Sequence, residues 1–221
     1  MKYLKFLTEK DWINCITKKI LKIADNSINT NGIFNIVLTG GDTPRLIYRE
    51  LSIINKTWEN WHFWLSDERY DPYIEDNLNI EMIKCELFSK INISINQIHF
   101  IDVNKNFRDS IKNYTIELKS VKNFDLVILG IGEDGHTAGL FPGNYIGDEK
   151  DSDDVLGVKN SPKPPKMRIT MSANRLSSTE RLFYIIKGIS KKKAISKLLN
   201  KKNLPFLRVK CKCQAIIFYS E

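Results

Sequence analysis

Histidine is scarce in this chain: His62, His99 and His136 are the only three among 221 residues. Any proton transfer that runs through imidazole near neutral pH therefore has three candidates. Cysteine is almost as rare. Cys15, Cys85, Cys211 and Cys213 come without a secretory context, and no His or second Cys pair near Cys211–Lys212–Cys213 completes a zinc set. Disulfide scaffolds and structural zinc sites are thereby set aside, and four free thiols are expected, with Cys211 and Cys213 sharing one face of a strand. No run of 18 or more apolar residues occurs, so no membrane-spanning helix is expected. The opening MKYLKFLTEKDWINC lacks the apolar core and small-residue cleavage site of a secretory leader. Arginine is sparse too, with 8 against 26 lysines, and the lysines are scattered rather than gathered into a nucleic-acid-binding motif.

The remaining composition is that of an ordinary globular chain. Apolar residues make up 42% and charged residues 27%, so disorder is not expected and 221 residues can bury a layered core as a single domain over 1–221. The net charge of +8 accompanies 20 asparagines, the signature of a Lys/Asn-biased surface, and it suits a small anionic substrate.

The hydrophobic pattern alternates between helix and strand. Trp12, Ile16, Ile20 and Ile23 predict an amphipathic helix over 9–24. Ile33 to Thr39 reads as a buried strand ending at Gly40-Gly41, followed by a helix with Thr43 as cap and Pro44 at its first position. Further strands are expected at 61–65, 98–101, 124–129, 167–171, 182–186 and 213–219, and helices at 79–89, 105–119 and 190–199. Residues 143–166, ending in SPKPPK, read as a polar surface excursion. The expected class is α/β: an open, Rossmann-like, mostly parallel sheet with helices on both faces.

In such sheets the binding crevice lies beyond the carboxyl ends of the strands, and three strand ends carry chemistry. Gly40-Gly41-Asp42-Thr43-Pro44 joins a strand to a helix N-terminus, where glycines admit a ligand to the backbone and free N–H groups favour an anion. It is neither a GxGxxG fingerprint nor a GK[ST] loop, so a nucleotide cofactor gains no support from it. Asp67-Glu68-Arg69 places Asp67 and Arg69 on one side of an extended segment and Glu68 on the other, with Arg69 able to grip a phosphate through two N–H groups. Asp134-Gly135-His136 follows the clearest strand. A carboxylate two residues before the imidazole can orient it to take a proton from water. With no GxSxG elbow or placed Cys nearby, water is the expected nucleophile, and one His among scattered carboxylates makes no metal site. His62 and His99 sit in or beside apolar strands and read as structural. Arg168 and the cluster Lys187, Lys191, Lys192 and Lys193 add cations, Lys191 being the one placed to reach an anion; the rest of that run reads as a solvated helix face.

The ordered set TGGDTP (39–44), SDERYDP (66–72), LGIGEDGHTAGLFPG (129–143), PPKMRITMS (164–172) and GISK (188–191) resembles the 6-phosphogluconolactonase family across nearly the whole chain. That family shares its fold with glucosamine-6-phosphate deaminases, which read DGHIAFNEPG and DEY where this chain has Phe141 and Arg69. The resemblance implies hydrolysis of 6-phospho-D-glucono-1,5-lactone to 6-phosphogluconate, with His136 and Asp134 catalytic. It implies substrate binding by Gly40, Gly41, Asp42, Thr43, Asp67, Arg69, Asn79, Gly135, Arg168 and Lys191. Neither cofactor nor metal is implied. A sugar phosphate is the expected partner, without nucleic acid or membrane, for a cytoplasmic monomer or weak homodimer. The alternatives are a deaminase-like sugar-phosphate isomerase and a catalytically silent sugar-phosphate binder. Asp42 stands where the family has Ser, either bringing a carboxylate toward the expected phosphate or turning outward, and Leu78-Asn79 stands where the family has Ser-Asn.

Overall fold

A computed structural model of the chain describes residues 1–54, 56–71, 78–188 and 203–221. Seven strands form its main sheet: β1 (Lys2–Phe6), β2 (Phe34–Leu38), β3 (Trp61–Leu65), β5 (Ile98–His99), β6 (Phe124–Leu129), β9 (Thr179–Lys187) and β10 (Ile216–Ser220). Their order is β1-β10-β9-β6-β2-β3-β5 and every neighbouring pair is parallel. All five residues of β2 are buried although successive side chains point to opposite faces, so both faces of the sheet are covered there. A second, antiparallel sheet of β4 (Asp67–Arg69), β8 (Arg168–Met171) and β7 (Val155–Val158) lies beyond the end of β3.

The helices are α1 (Glu9–Asn31), α2 (Asp42–Ser52), α3 (Asn79–Glu86), α4 (Phe107–Leu118), α5 (Ala173–Ser177) and α6 (Pro205–Arg208). Helix α1 starts where Thr8 accepts a hydrogen bond from the Asp11 N–H and stops at Gly32 in the left-handed conformation. It buries Trp12, Ile16, Ile20 and Ala24 against the sheet. It runs about two turns beyond the expected end at 24, because Ile28 continues the apolar stripe after Ala24.

Several expectations are corrected. The Thr43 cap is wrong: α2 begins at Asp42, its N-cap is Gly41 at φ 107°, and no side chain caps it. Pro44 therefore sits third rather than first, a place it tolerates because first-turn N–H groups have no intrahelical acceptor. The 143–166 excursion contains β7, which pairs with β8 along its whole length. The final strand begins at Ile216, leaving Cys211 and Cys213 in the preceding bend, the first half-buried and the second exposed. All four cysteines are free thiols. The helix expected over 190–199, with Lys191, Lys192 and Lys193, lies outside the described residues. Among the described residues no helix is long and apolar enough to cross a membrane.

Candidate active site

The carboxyl ends of β2, β3, β6 and β9 open into one cleft of about 380 Å³. Of the expected substrate-binding residues, Gly40, Gly41, Asp42, Thr43, Asp67, Arg69, Asn79 and Arg168 all line it together with His136. Gly135 does not line it. At φ 88°, Gly135 faces Leu204, and its carbonyl accepts a hydrogen bond from the Phe206 N–H, so it anchors the loop to α6. Asp134 stands behind the imidazole rather than in the cleft wall.

The first wall is the β2–α2 turn. The Tyr48 hydroxyl accepts from the Thr39 N–H (3.0 Å) and donates to the Thr39 carbonyl (2.8 Å), clamping the turn from beneath. The turn passes over Asn79, whose amide donates to the Asp67 carbonyl at 2.9 Å. Helix α2 has no side-chain cap, so its first N–H groups point into the cleft without an intrahelical partner. The Asp42 side chain is 99% exposed and lies 3.7 Å from Arg45, so this carboxylate turns out to solvent.

The second wall is the small sheet. Asp67 and Arg69 face the cleft, while Glu68 is fully buried on the other side. Glu68 accepts hydrogen bonds from the N–H groups of Arg69 and Asn79 (2.7 Å each) and Ile80 (2.9 Å), which ties β4 to the uncapped start of α3. Burial outweighs these three donors and pushes its carboxyl up to about 7. Arg69 stands directly opposite Arg168 in the β4–β8 register. Like charges at such a cross-strand pair repel and are accommodated when an anion sits between them. Arg168 is largely buried, donates to Ser161 Oγ (3.2 Å) and the Pro164 carbonyl (3.1 Å), and lies 5.9 Å from the Phe141 ring. Burial holds its guanidinium below the usual arginine range, with Arg69 working in the same direction.

The third wall carries the histidine. His136 Nδ1 and Asp134 Oδ1 are 2.5 Å apart, and the same oxygen accepts from the His136 N–H at 3.2 Å. With Asp134 holding Nδ1–H, Nε2 is the basic nitrogen, and among the described residues it has no protein partner. Burial lowers the imidazole's proton affinity more than Asp134 raises it, so His136 is neutral at neutral pH. Burial pushes the Asp134 carboxyl up, but the hydrogen bond and charge of His136 hold it below the usual carboxylate range. Ala138, at φ 46°, strains the turn that follows. The glycine spacing of Gly130-Ile131-Gly132-Glu133-Asp134-Gly135 matches GxGxxG, but no helix follows it, so it offers no helix N-terminus to a pyrophosphate.

Gly132 has a steric reason to lack a side chain. A Cβ there would lie 2.1 Å from His136 Nδ1 and 2.7 Å from Asp134 Oδ1, inside the bond that orients the ring. Gly132→Ala is expected to lower kcat by about 10²-fold or more through misplacement of the base. Steady-state kinetics on a variant with an unchanged circular dichroism spectrum tests this.

The other two histidines lie elsewhere. His62 Nδ1 meets His99 Nε2 at 2.9 Å, His99 Nδ1 meets Glu117 at 2.7 Å, and His99 stacks on Trp64. This hydrogen-bonded chain starts near the amino end of β3, away from the cleft. Lys187 lines the cleft but pairs with Glu9, and Lys191 lies outside the described residues. Lys163 lines the cleft and was not singled out from the sequence, because SPKPPK reads locally as a surface loop.

Among the described residues no serine or cysteine lines this cleft, and its bare imidazole nitrogen stands in the same cleft as an arginine pair. The class so defined is an open-sheet α/β protein with a carboxylate-oriented imidazole and an arginine pair in one cleft at the carboxyl edge of its strands. The family model of glucosamine-6-phosphate isomerases and 6-phosphogluconolactonases matches residues 8–218, and the chain belongs to that family. It is 29% identical to the 6-phosphogluconolactonase of Thermotoga maritima over 96% of each chain, and 28% identical to that of Haemophilus influenzae over 97% of this chain and 93% of the other. The crystal structure of the Thermotoga maritima 6-phosphogluconolactonase superimposes with a TM-score of 0.90 over 100% of both chains.

Proposed function

We propose that the protein hydrolyses 6-phospho-D-glucono-1,5-lactone to 6-phospho-D-gluconate, the second step of the oxidative pentose phosphate pathway. The observation that carries this is His136: an Asp134-oriented imidazole with Nε2 bare toward a cleft whose far side is an anion cradle. The 6-phosphate docks on the free N–H groups at the start of α2 and between Arg69 and Arg168. This sets the lactone carbonyl beside His136. Water loses a proton to Nε2 as its oxygen bonds to C1. The tetrahedral intermediate then collapses with cleavage of the bond from C1 to the ring oxygen, and the imidazolium returns the proton to that oxygen. General-base catalysis of this kind contributes about 10²–10⁴-fold.

The deaminase-like alternative is disfavoured by position 141. Phe141 is buried with its ring 5.0 Å from that of His136, so no carboxylate stands there to relay a proton from the imidazole. The four free thiols suit the reducing cytoplasm proposed as its setting.

The test is turnover of freshly generated lactone, with product read through 6-phosphogluconate dehydrogenase against an enzyme-free blank. Acceleration supports the lactonase. Absence of acceleration, with ammonia released from glucosamine 6-phosphate, would replace it by the deaminase. Arg69→Ala is expected to raise KM about tenfold or more with a smaller change in kcat; an unchanged KM would move the phosphate away from the arginine pair.

A further inference from the structure

We propose that Lys163 is a catalytic residue of this site, its ammonium stabilising the negative charge that develops on the lactone carbonyl oxygen. The inference rests on the lactonase reading and adds a residue to it. Among the described residues four cations line the cleft: Arg69, Lys163, Arg168 and Lys187. Arg69 belongs to the arginine pair of the phosphate cradle. Arg168 is committed to Ser161 and the Pro164 carbonyl, and Lys187 to Glu9. The Lys163 ammonium has no hydrogen bond or ion pair among the described residues.

The backbone of Lys163, by contrast, is held firmly. Its N–H donates to Ser161 Oγ (3.3 Å), and that hydroxyl donates to the Lys163 carbonyl (2.8 Å). Arg168 reaches the same hydroxyl and the carbonyl of the next residue, so a buried guanidinium positions the strap from below. The long side chain therefore starts from a fixed point on the wall of the cleft that His136 also lines. Its charge is close enough to act against protonation of the imidazole.

The reaction needs such a group. Attack by water places negative charge on the carbonyl oxygen at the moment His136 becomes positive. Two positive charges of the phosphate cradle are already used at the other end of the substrate. A preorganised donor at a developing oxyanion is worth about 10²–10³ in kcat where one has been removed from comparable sites. After ring opening the same ammonium faces the product carboxylate.

The test compares wild-type, Lys163→Met and Lys163→Arg in lactone turnover across pH. Expected for Lys163→Met is a kcat about 10²-fold lower, KM within a few-fold, and an acid limb of kcat/KM moved to higher pH, because an imidazole freed from a nearby cation holds its proton more tightly. Lys163→Arg should recover part of kcat and return the acid limb toward its original position. A strap that merely unfolded would lower Tm without moving the acid limb. Wild-type kcat and an unmoved limb in Lys163→Met would overturn the assignment while leaving the lactonase intact. A raised KM with kcat kept would also overturn it, by placing Lys163 at the phosphate. Absence of lactone turnover in wild-type would remove the underlying reading, and the role of Lys163 with it.

Discussion

His136→Ala is expected to lower kcat for lactone hydrolysis by about 10²–10⁴-fold while leaving the affinity for a phosphate-bearing product almost unchanged. The two effects separate because the structure separates the groups. The imidazole hangs from the loop after β6, whereas the proposed phosphate cradle is built from the start of α2 and from β4 and β8. Each has its own orienting contact, since Tyr48 clamps the β2–α2 turn and Asp134 orients the imidazole. The pH dependence follows with its sign. Burial lowers the proton affinity of His136, so the base is already free somewhat below the ordinary histidine range. In wild-type, kcat/KM should therefore fall only on the acid side of about pH 6.5. Stopped assays across pH, combined with titration of 6-phosphogluconate into the variant, test both statements. Wild-type turnover in His136→Ala would refute the base assignment.

Gly40→Ala is expected to damage the opposite wall. A Cβ at this position would lie 1.8 Å from Asn79 Oδ1 and 2.2 Å from its Cγ. Asn79 has little room to retreat: it is 5% exposed, its amide holds the Asp67 carbonyl, and its N–H donates to Glu68. Either the start of α3 shifts with β4, or the β2–α2 turn lifts from its clamp. Both outcomes move the anion-binding N–H groups relative to Arg69. Overpacking of this kind costs about 1–3 kcal/mol, which for a chain of this size lowers Tm by roughly 2–4 °C for each kcal/mol. KM should rise together with the loss in Tm. A variant of unchanged Tm and KM would show that Asn79 does not hold the turn.

These residues differ in how visible they were. The Asp134–His136 pair could be read from the sequence because its partners are local: two residues apart, in a glycine-rich loop after an apolar strand. Arg69 could be read for the same reason, since alternation along DER places it beside Asp67 and away from Glu68. What Glu68 does was not legible. Its three donors include Asn79 and Ile80, ten or more residues downstream, and only folding brings them together. Lys163 was hidden in the same way. Nothing within SPKPPK marks it as a cleft residue until Arg168 and Ser161 hold the segment at the cleft wall. Gly135 went the other way, since its place in DGH made it look like a substrate contact when its neighbour is Leu204, the residue that precedes α6.

The parallel sheet follows from local pattern, because strands covered on both faces are near-continuous apolar runs and β2, β3 and β6 are written as FNIVL, WHFWL and FDLVIL, each with a single polar residue at its second position. The general position of the crevice follows as well, since parallel strands deliver every loop that follows them to one edge. By itself, then, the sequence determined the class of fold, the edge of the sheet at which the cleft opens and the residue proposed as the base. Tertiary structure alone decided the small antiparallel sheet, the Arg69–Arg168 opposition and the bare face of Nε2. Each of these depends on contacts between segments far apart in the chain, and short strands such as DER and VLGV have no periodicity long enough to announce their partners.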